Sequence, residues 1–270
     1  MLEERSVPGL DVINIVSFAL CISKEELLSN QEREMGDKEK VHIERLLKER
    51  RGGKPLAYIT KSREFFSEKI FVDERVLIPR PETELLVEEA IKILENNQNI
   101  SRIVDVGTGS GAIGIIVAKR TLREVVCIDI SIDALCVARR NAQAMQALKE
   151  VKLVCSDLFC SINRKKRFDM VLANLPYVAS EEWDDVMIDV KNFEPREALY
   201  GGKGGVEIYR RFVNELPNYL EKDGYTLCEV GGDTQAEKIM DMLESAGIHT
   251  ISKRDLSGNK RVIIGSWKSL

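Results

Sequence analysis

From residue 102 onward, short apolar runs of strand length alternate with longer amphipathic stretches, a rhythm that few architectures satisfy. The runs at 102–106, 124–128, 151–154, 168–173 and 225–230 are predominantly apolar, as strands covered on both faces tend to be. Helix-length segments fill the gaps, which predicts a doubly wound, mostly parallel α/β sheet. After Gly247 the rhythm changes. Residues 248–253 and 261–266, joined through Ser257-Gly258-Asn259, read as an antiparallel hairpin that closes the sheet. A plain dinucleotide-binding fold has no need of such a hairpin.

Upstream, residues 1–63 read as a small N-terminal helical domain suited to substrate recognition. Val12, Ile15, Val16, Ala19 and Leu20 recur at helical spacing, Ser23 and Glu26 resemble a capping box, and Ile43, Leu46 and Leu47 line a charged segment that ends at Gly52-Gly53. The cluster Lys48, Arg50, Arg51, Lys54 reads as a solvated helix end. Residues 64–78 alternate apolar and charged side chains, so 64–80 is expected to be a hairpin linker. The third unit, 81–270, opens at Pro81-Glu82-Thr83-Glu84, with proline and acids where a helix start favours them.

Composition excludes several function classes. The 40 basic and 44 acidic side chains leave a formal net charge of -4, which gives no general attraction to phosphate backbones, so a direct nucleic-acid substrate is not expected. No apolar stretch approaches the roughly 18 residues of a membrane span, and Met1 to Arg5 do not begin a secretory signal. A cytoplasmic protein is expected. The 6 cysteines form no CxxC pair and read as small core residues in a reducing compartment. His42 and His249 are too far apart in sequence, and too poorly accompanied, to suggest a metal site or a Ser-His-Asp triad.

Two stretches carry the chemistry. Asp105-Val106-Gly107-Thr108-Gly109-Ser110-Gly111 follows the first strand and leads into a helix, where glycines permit close backbone approach to a ligand. Asp129 ends the second strand, where a carboxylate can bond ribose hydroxyls. Asp157-Leu158 follows the third, where the acid can meet an adenine amine and the leucine its ring, although an Asx turn needs the same residues. Gly109-x-Gly111-x-x-Gly114 also satisfies the dinucleotide fingerprint, which keeps a nicotinamide cofactor open. Asp105, however, suits a cationic, phosphate-free cofactor better than a pyrophosphate. S-adenosylmethionine, with its sulfonium, amino acid moiety and ribose, meets these requirements.

The second stretch is Asn174-Leu175-Pro176-Tyr177, at the carboxyl end of the strand 168–173. Asn174 offers a side-chain acceptor, Pro176 biases Leu175 toward an extended backbone whose carbonyl is free to accept, and Tyr177 adds a flat face. Together they suit a planar group bearing an NH2. A strand followed by an ordinary turn would use the same residues.

With these pieces placed, the chain resembles the release factor glutamine methyltransferases, class I enzymes dependent on S-adenosylmethionine. The likeness covers nearly the whole chain. It rests on Leu77 to Glu84, the loop Asp105 to Gly111, Asp129, Ser156-Asp157, Asn174 to Tyr177, Glu194-Pro195-Arg196 with Leu199-Tyr200-Gly201-Gly202 and Gly205, and Lys253 to Gly258. It implies methyl transfer to the amide nitrogen (N5) of the glutamine in the Gly-Gly-Gln motif of peptide-chain release factors, as part of translation termination.

The family usually has two prolines between the Asn and the Tyr; here Leu175 replaces the first. The resulting Asn-Leu-Pro-Tyr also looks like the motif of rRNA adenine dimethyltransferases, so the flanking segments decide the substrate. The roles expected are that Gly107, Thr108, Gly109, Ser110, Gly111, Asp129, Asp157, Leu158 and Asn174 hold the cofactor. Asn174 and Leu175 accept the two amide hydrogens, Pro176 constrains them and Tyr177 stacks on the amide. An adenine-N6 methyltransferase of rRNA or DNA is the alternative. A nicotinamide-dependent oxidoreductase and a non-catalytic S-adenosylmethionine-binding module are further readings.

Overall fold

The computed structural model describes residues 6–30 and 32–268. Met1 to Arg5, read above for a targeting signal, lie outside the described residues. Four helices open the chain: α1 (Gly9–Leu20), α2 (Lys24–Ser29), α3 (Asp37–Arg51) and α4 (Leu56–Ile59). The Ser23 hydroxyl caps α2 by accepting the Glu26 N–H at 3.0 Å. Among the described residues, Ile15, Leu46 and Ile59 form the small buried cluster of this bundle, so it depends on what it packs against. Tyr58, fully buried, reaches out of it and donates its hydroxyl to the Val76 carbonyl at 2.6 Å.

The basic cluster at the end of α3 is not simply solvated. Arg50 donates to Asp11 at 2.7 Å and lies 3.8 Å from Asp189, while Lys54 pairs with Glu49 and Glu74. These pairs tie the end of α3 to α1 and to two segments outside the helical unit.

The linker hairpin is shorter than its alternation suggested. Strands β1 (Arg63–Phe65) and β2 (Glu68–Ile70) pair antiparallel around Phe66 and Ser67, both at positive φ. Residues 71–80 then run on without a strand partner. Val72, Val76 and Ile78 join the main hydrophobic core, and that burial, rather than strand pairing, is what their apolar pattern encoded.

A 3-10 turn at Pro81–Thr83 leads into α5 (Glu84–Asn96), and the α/β pattern follows as β3 (Ile103–Val106), α6 (Ala112–Thr121), β4 (Val125–Asp129), α7 (Ile132–Ala144), β5 (Val151–Cys155) and β6 (Phe168–Ala173). The small strand β7 (Val178–Ala179), helix α8 (Ile188–Phe193) and strand β8 (Tyr200–Gly202) interrupt it. It resumes with α9 (Glu207–Glu215), β9 (Leu220–Glu229), α10 (Asp233–Ser245), β10 (His249–Arg254) and β11 (Lys260–Ser266). The sheet order is β10-β11-β9-β6-β3-β4-β5, parallel from β9 to β5 with the last two strands antiparallel, as expected from the sequence. β9 starts earlier than its apolar run because Leu220 pairs with Phe168 while charged residues intervene.

Two hydrophobic clusters form the core. Ile103, Cys127, Met170 and Leu172 join one with residues of α5, α6 and α7; Val104, Val106, Val171 and Ala173 join the other with residues of α9 and α10. The cysteines divide: Cys127 and Cys228 are buried, whereas Cys21, Cys136, Cys155 and Cys160 are exposed, so the core assignment holds for two of the six.

Successive strands step outward from β3 to β5, and the chain then returns to β6 on the other side of β3. That reversal makes a topological switch point. Val106 is in register with both Ala173 and Ile128, and Ala173 with Cys228. The chain therefore leaves four neighbouring strands at Gly107, Asp129, Asn174 and Glu229 along one edge.

Asn141, on α7, locks the linker to that edge. Its side chain accepts the Phe71 N–H at 2.8 Å and donates to the Phe71 and Ser110 carbonyls at 2.9 and 2.8 Å. Asn141→Ala leaves three backbone groups without these partners and is expected to cost about 3 kcal/mol. Urea unfolding measures this, and a loss near zero would show that the lock contributes nothing.

Candidate active site

A cleft of about 560 Å³ opens at the carboxyl ends of β3, β4, β5 and β6. A larger, more open groove of about 970 Å³ beside α9 and α10 contains none of the strand-end residues. Within the cleft lie Gly107, Gly109, Asp129, Asp157, Leu158, Asn174, Leu175 and Pro176, a set gathered from four separate sequence stretches.

The glycine loop is built from backbone bonds. The Gly107 and Thr108 N–H groups both donate to the Ile128 carbonyl at 2.9 Å, which folds the loop back across β4. Gly107 has φ +75°, and a Cβ there would stand 3.0 Å from the Leu175 side chain, so glycine serves both the turn and the close approach. Thr108, Ser110 and Gly111 do not line the cleft. The Thr108 hydroxyl donates to Asp105 at 2.6 Å, the Ser110 carbonyl receives Asn141, and Gly111 turns the chain into α6.

Asp105 is also absent from the lining. It is fully buried, accepts from Thr108 and from the Gly114 N–H, and has one oxygen with no hydrogen-bond partner among the described residues. Burial pushes its carboxyl up to about 6 against those two bonds. It braces the loop from behind, which replaces the expectation that it faces a cationic ligand.

Asp129 does face the cleft. Its oxygens accept the Gly109 and Ser131 N–H groups at 2.8 and 2.9 Å, and the carboxylate retains lone-pair capacity for a ligand. Burial raises its pKa, partly offset by these backbone bonds. Asp157 pairs with Arg211 at 2.7 Å, and Leu158, at φ +46°, packs largely buried beside it.

At the clamp, the Asn174 NH2 donates to the Thr83 hydroxyl at 3.3 Å, which leaves its carbonyl oxygen available. The Leu175 N–H donates to the Tyr209 hydroxyl at 3.3 Å, and Tyr209 in turn donates to the Glu229 carbonyl. Tyr177 is not in the lining: its ring lies against Gly231, its hydroxyl donates to Glu229 at 3.4 Å, and its carbonyl accepts from Gln235 at 3.0 Å. β8 presses on the clamp from outside. A Cβ on Gly201 would come within 2.7 Å of the Pro176 carbonyl oxygen. Tyr200 and Arg196 close the far side of the cleft, the guanidinium 4.6 Å from the ring centroid.

Two motifs that are far apart in sequence meet here. Glu194, its side chain 1% exposed, accepts from Arg80 at 2.6 Å and from the Ile78 N–H at 3.1 Å. The Pro-Arg-Pro segment and the Glu-Pro-Arg segment thus form one wall.

Residues 81–191 match the family described as "Methyltransferase small domain", and residues 1–60 match "PrmC N-terminal domain". A release factor glutamine methyltransferase of Clostridium acetobutylicum is 36% identical over 253 residues, 93% of this chain and 88% of that protein. The protein of the same name from Escherichia coli K12 is 35% identical, over 89% of this chain and 86% of its own length. This chain belongs to the release factor glutamine methyltransferase family. A solved methyltransferase structure from Pyrococcus furiosus, 15% identical, shares the fold with a TM-score of 0.56 over 76% of this chain and 91% of that one.

Against the spelling usual in release factor glutamine methyltransferases, Leu175 has a structural consequence. Its N–H makes the bond to Tyr209, which a proline could not donate. Thr83, Tyr209, Glu229 and Gln235 escape a reading of the sequence for chemistry. Glu229 carried a signal nonetheless, as an acid at the end of a strand whose last four residues are all buried.

Glu194→Ala strands the Arg80 guanidinium and the Ile78 N–H, with an expected loss of about 3 kcal/mol. Faster hydrogen exchange at the Ile78 amide should accompany it; an unchanged exchange rate there would refute the role given to Glu194.

Proposed function

We propose that this chain transfers the methyl group of S-adenosylmethionine to the amide nitrogen (N5) of the glutamine in the Gly-Gly-Gln motif of peptide-chain release factors. The observation that carries this reading is that Asn174, whose side-chain NH2 is taken by Thr83, and Leu175 together line a cleft of small-molecule size at the strand ends. The names of the relatives point the same way.

The cleft suits the cofactor. Its 560 Å³ falls in the usual range for small-molecule sites, about 300–1,000 Å³. Asp129 has lone pairs for ribose hydroxyls, Ile130 and Leu158 offer apolar walls for a ring, and the Gly107 and Gly109 backbone allows close approach. S-adenosylmethionine, when bound, supplies an electrophilic methyl group on its sulfonium.

The rest falls to side chains and backbone of this protein. An amide nitrogen is a weak nucleophile because its lone pair is delocalised, so its orientation matters most. The Asn174 oxygen and the Leu175 carbonyl accept the two amide hydrogens and aim the nitrogen into the cleft, while Pro176 restrains Leu175. Alignment of this kind contributes on the order of 7–11 kcal/mol in well-oriented reactions, so no strong general base is demanded. Tyr177 buttresses the clamp from behind. Burial, first, and the nearby Glu229 charge hold its hydroxyl protonated at neutral pH, which removes it as a base.

The near balance of charge suits a protein substrate. Labelled S-adenosylmethionine, offered together with purified release factor and total RNA, should label the release factor; label confined to RNA would overturn the reading in favour of adenine methylation. Asn174→Ala should lower transfer about a hundredfold, well beyond the loss of cofactor affinity that goes with removing a residue of the cleft lining, measured by radiolabel counting and calorimetry.

A further inference from the structure

Glu229 is fully buried at the end of β9, beside Asn174 through the Ala173–Cys228 register, and the clamp chemistry described above does not use it. It touches the clamp by two independent routes. Its carboxyl accepts the Tyr177 hydroxyl, and its backbone carbonyl accepts Tyr209, which holds the Leu175 N–H. One carboxyl oxygen has no hydrogen-bond partner among the described residues. The groups around it are Tyr177 and Tyr209, Arg261 from β11, and Glu82, with Arg80 acting on Tyr177.

Thr83 connects this acid to Asn174. A hydroxyl has one proton to give. Since Thr83 receives the Asn174 NH2, its own proton is free to point toward Glu229. An ionised carboxylate can only accept, so it favours the order in which Asn174 gives to Thr83 and the Thr83 proton turns toward Glu229, whose charge Thr83 stabilises. The Asn174 oxygen is then left for the cleft. A protonated Glu229 donates instead, which allows Thr83 to turn its proton to Asn174 and the carboxamide to flip. The flipped amide would present NH2 to a substrate NH2.

We propose that Glu229 is a positioning residue: its carboxylate, acting through Thr83, fixes the Asn174 carboxamide with its oxygen toward the substrate nitrogen. The inference rests on the amide-clamp reading above and deepens it. Burial, first, pushes the Glu229 carboxyl up to about 7, while Thr83, Arg261 and Tyr177 hold it down. The ionised form is the competent one, so kcat should rise with pH through that value and level off above it.

The test has two arms. In full-length protein labelled with 15N-asparagine, the Asn174 NH2 resonances, assigned with Asn174→Ala, should shift with pH around a midpoint of about 7. The shift should vanish in Glu229→Gln and in Thr83→Val. In the second arm, Glu229→Gln should lower kcat on release factor about tenfold, flatten the pH profile and leave the cofactor Kd unchanged. Thr83→Val, which retains the carboxylate, should lose the same pH limb.

An Asn174 signal that does not titrate, or one that titrates identically in both variants, overturns the proposal. So does a Glu229→Gln protein that melts earlier yet keeps the wild-type pH limb, because that marks a purely structural acid. The NMR arm needs no substrate, so failure of wild-type protein to methylate release factor would strike the clamp reading while the Glu229 relay is judged separately.

Discussion

The register of the central ladder is the constraint on which the site depends. Val106, Ala173 and Cys228 lie abreast across three parallel strands, with Ile128 beside Val106 on a fourth. A slip of one residue in any of these pairings would turn that strand's side chains to the opposite face and move its terminal polar residue out of the cleft. The two hydrophobic clusters oppose such a slip, because every residue of β3 is buried and neighbouring residues belong to different faces. Packing on both faces thus fixes where Gly107, Asp129, Asn174 and Glu229 emerge. Chemistry at the edge is a by-product of order in the core.

Three buried carboxylates then hold the loops that leave this edge. Asp105 braces the glycine loop, Glu194 joins the wall before α5 to the segment after α8, and Glu229 stands behind the clamp. A buried acid is a costly way to stabilise a fold, since desolvation works against its charge. Asp105 and Glu229 each retain an oxygen without a hydrogen-bond partner among the described residues, which adds to that cost. What they supply is direction. Each accepts bonds from groups on separate elements, and an acceptor with no proton to offer leaves those donors a single arrangement.

The α/β architecture was legible because buried parallel strands are mostly apolar runs: β3 to β6 lie close to where those runs predict them, β10 and β11 where the hairpin does, and β9 ends at its run but begins before it. The strand-end residues were legible for the same reason: knowing where a strand stops tells which residue meets the cleft. The linker misled because alternation in 64–78 was taken for strand pairing, whereas Val72, Val76 and Ile78 are drawn into the core individually. Asp105 misled because position in a motif says nothing about which way a side chain turns. Thr83 was read only as part of a helix start and Tyr209 not at all, since a single hydroxyl on a 3-10 turn or helix has no pattern that announces a bond to the clamp.

The same polar ties connect the clamp to segments far from it in the chain. Arg50 at the end of α3 donates to Asp11 and approaches Asp189 of α8, and α8 is followed directly by Glu194, which holds Arg80 and Ile78. Asn141 joins the linker to the glycine loop at Ser110. The helical unit, whose own core is small, is therefore tied by Arg50 to α8 and by Lys54 to the linker. Leu175 belongs to this logic as well. Its N–H, donated to Tyr209, adds a backbone tie between the clamp and the end of β9, so the substitution trades the rigidity of a proline ring for a hydrogen bond anchored in the core.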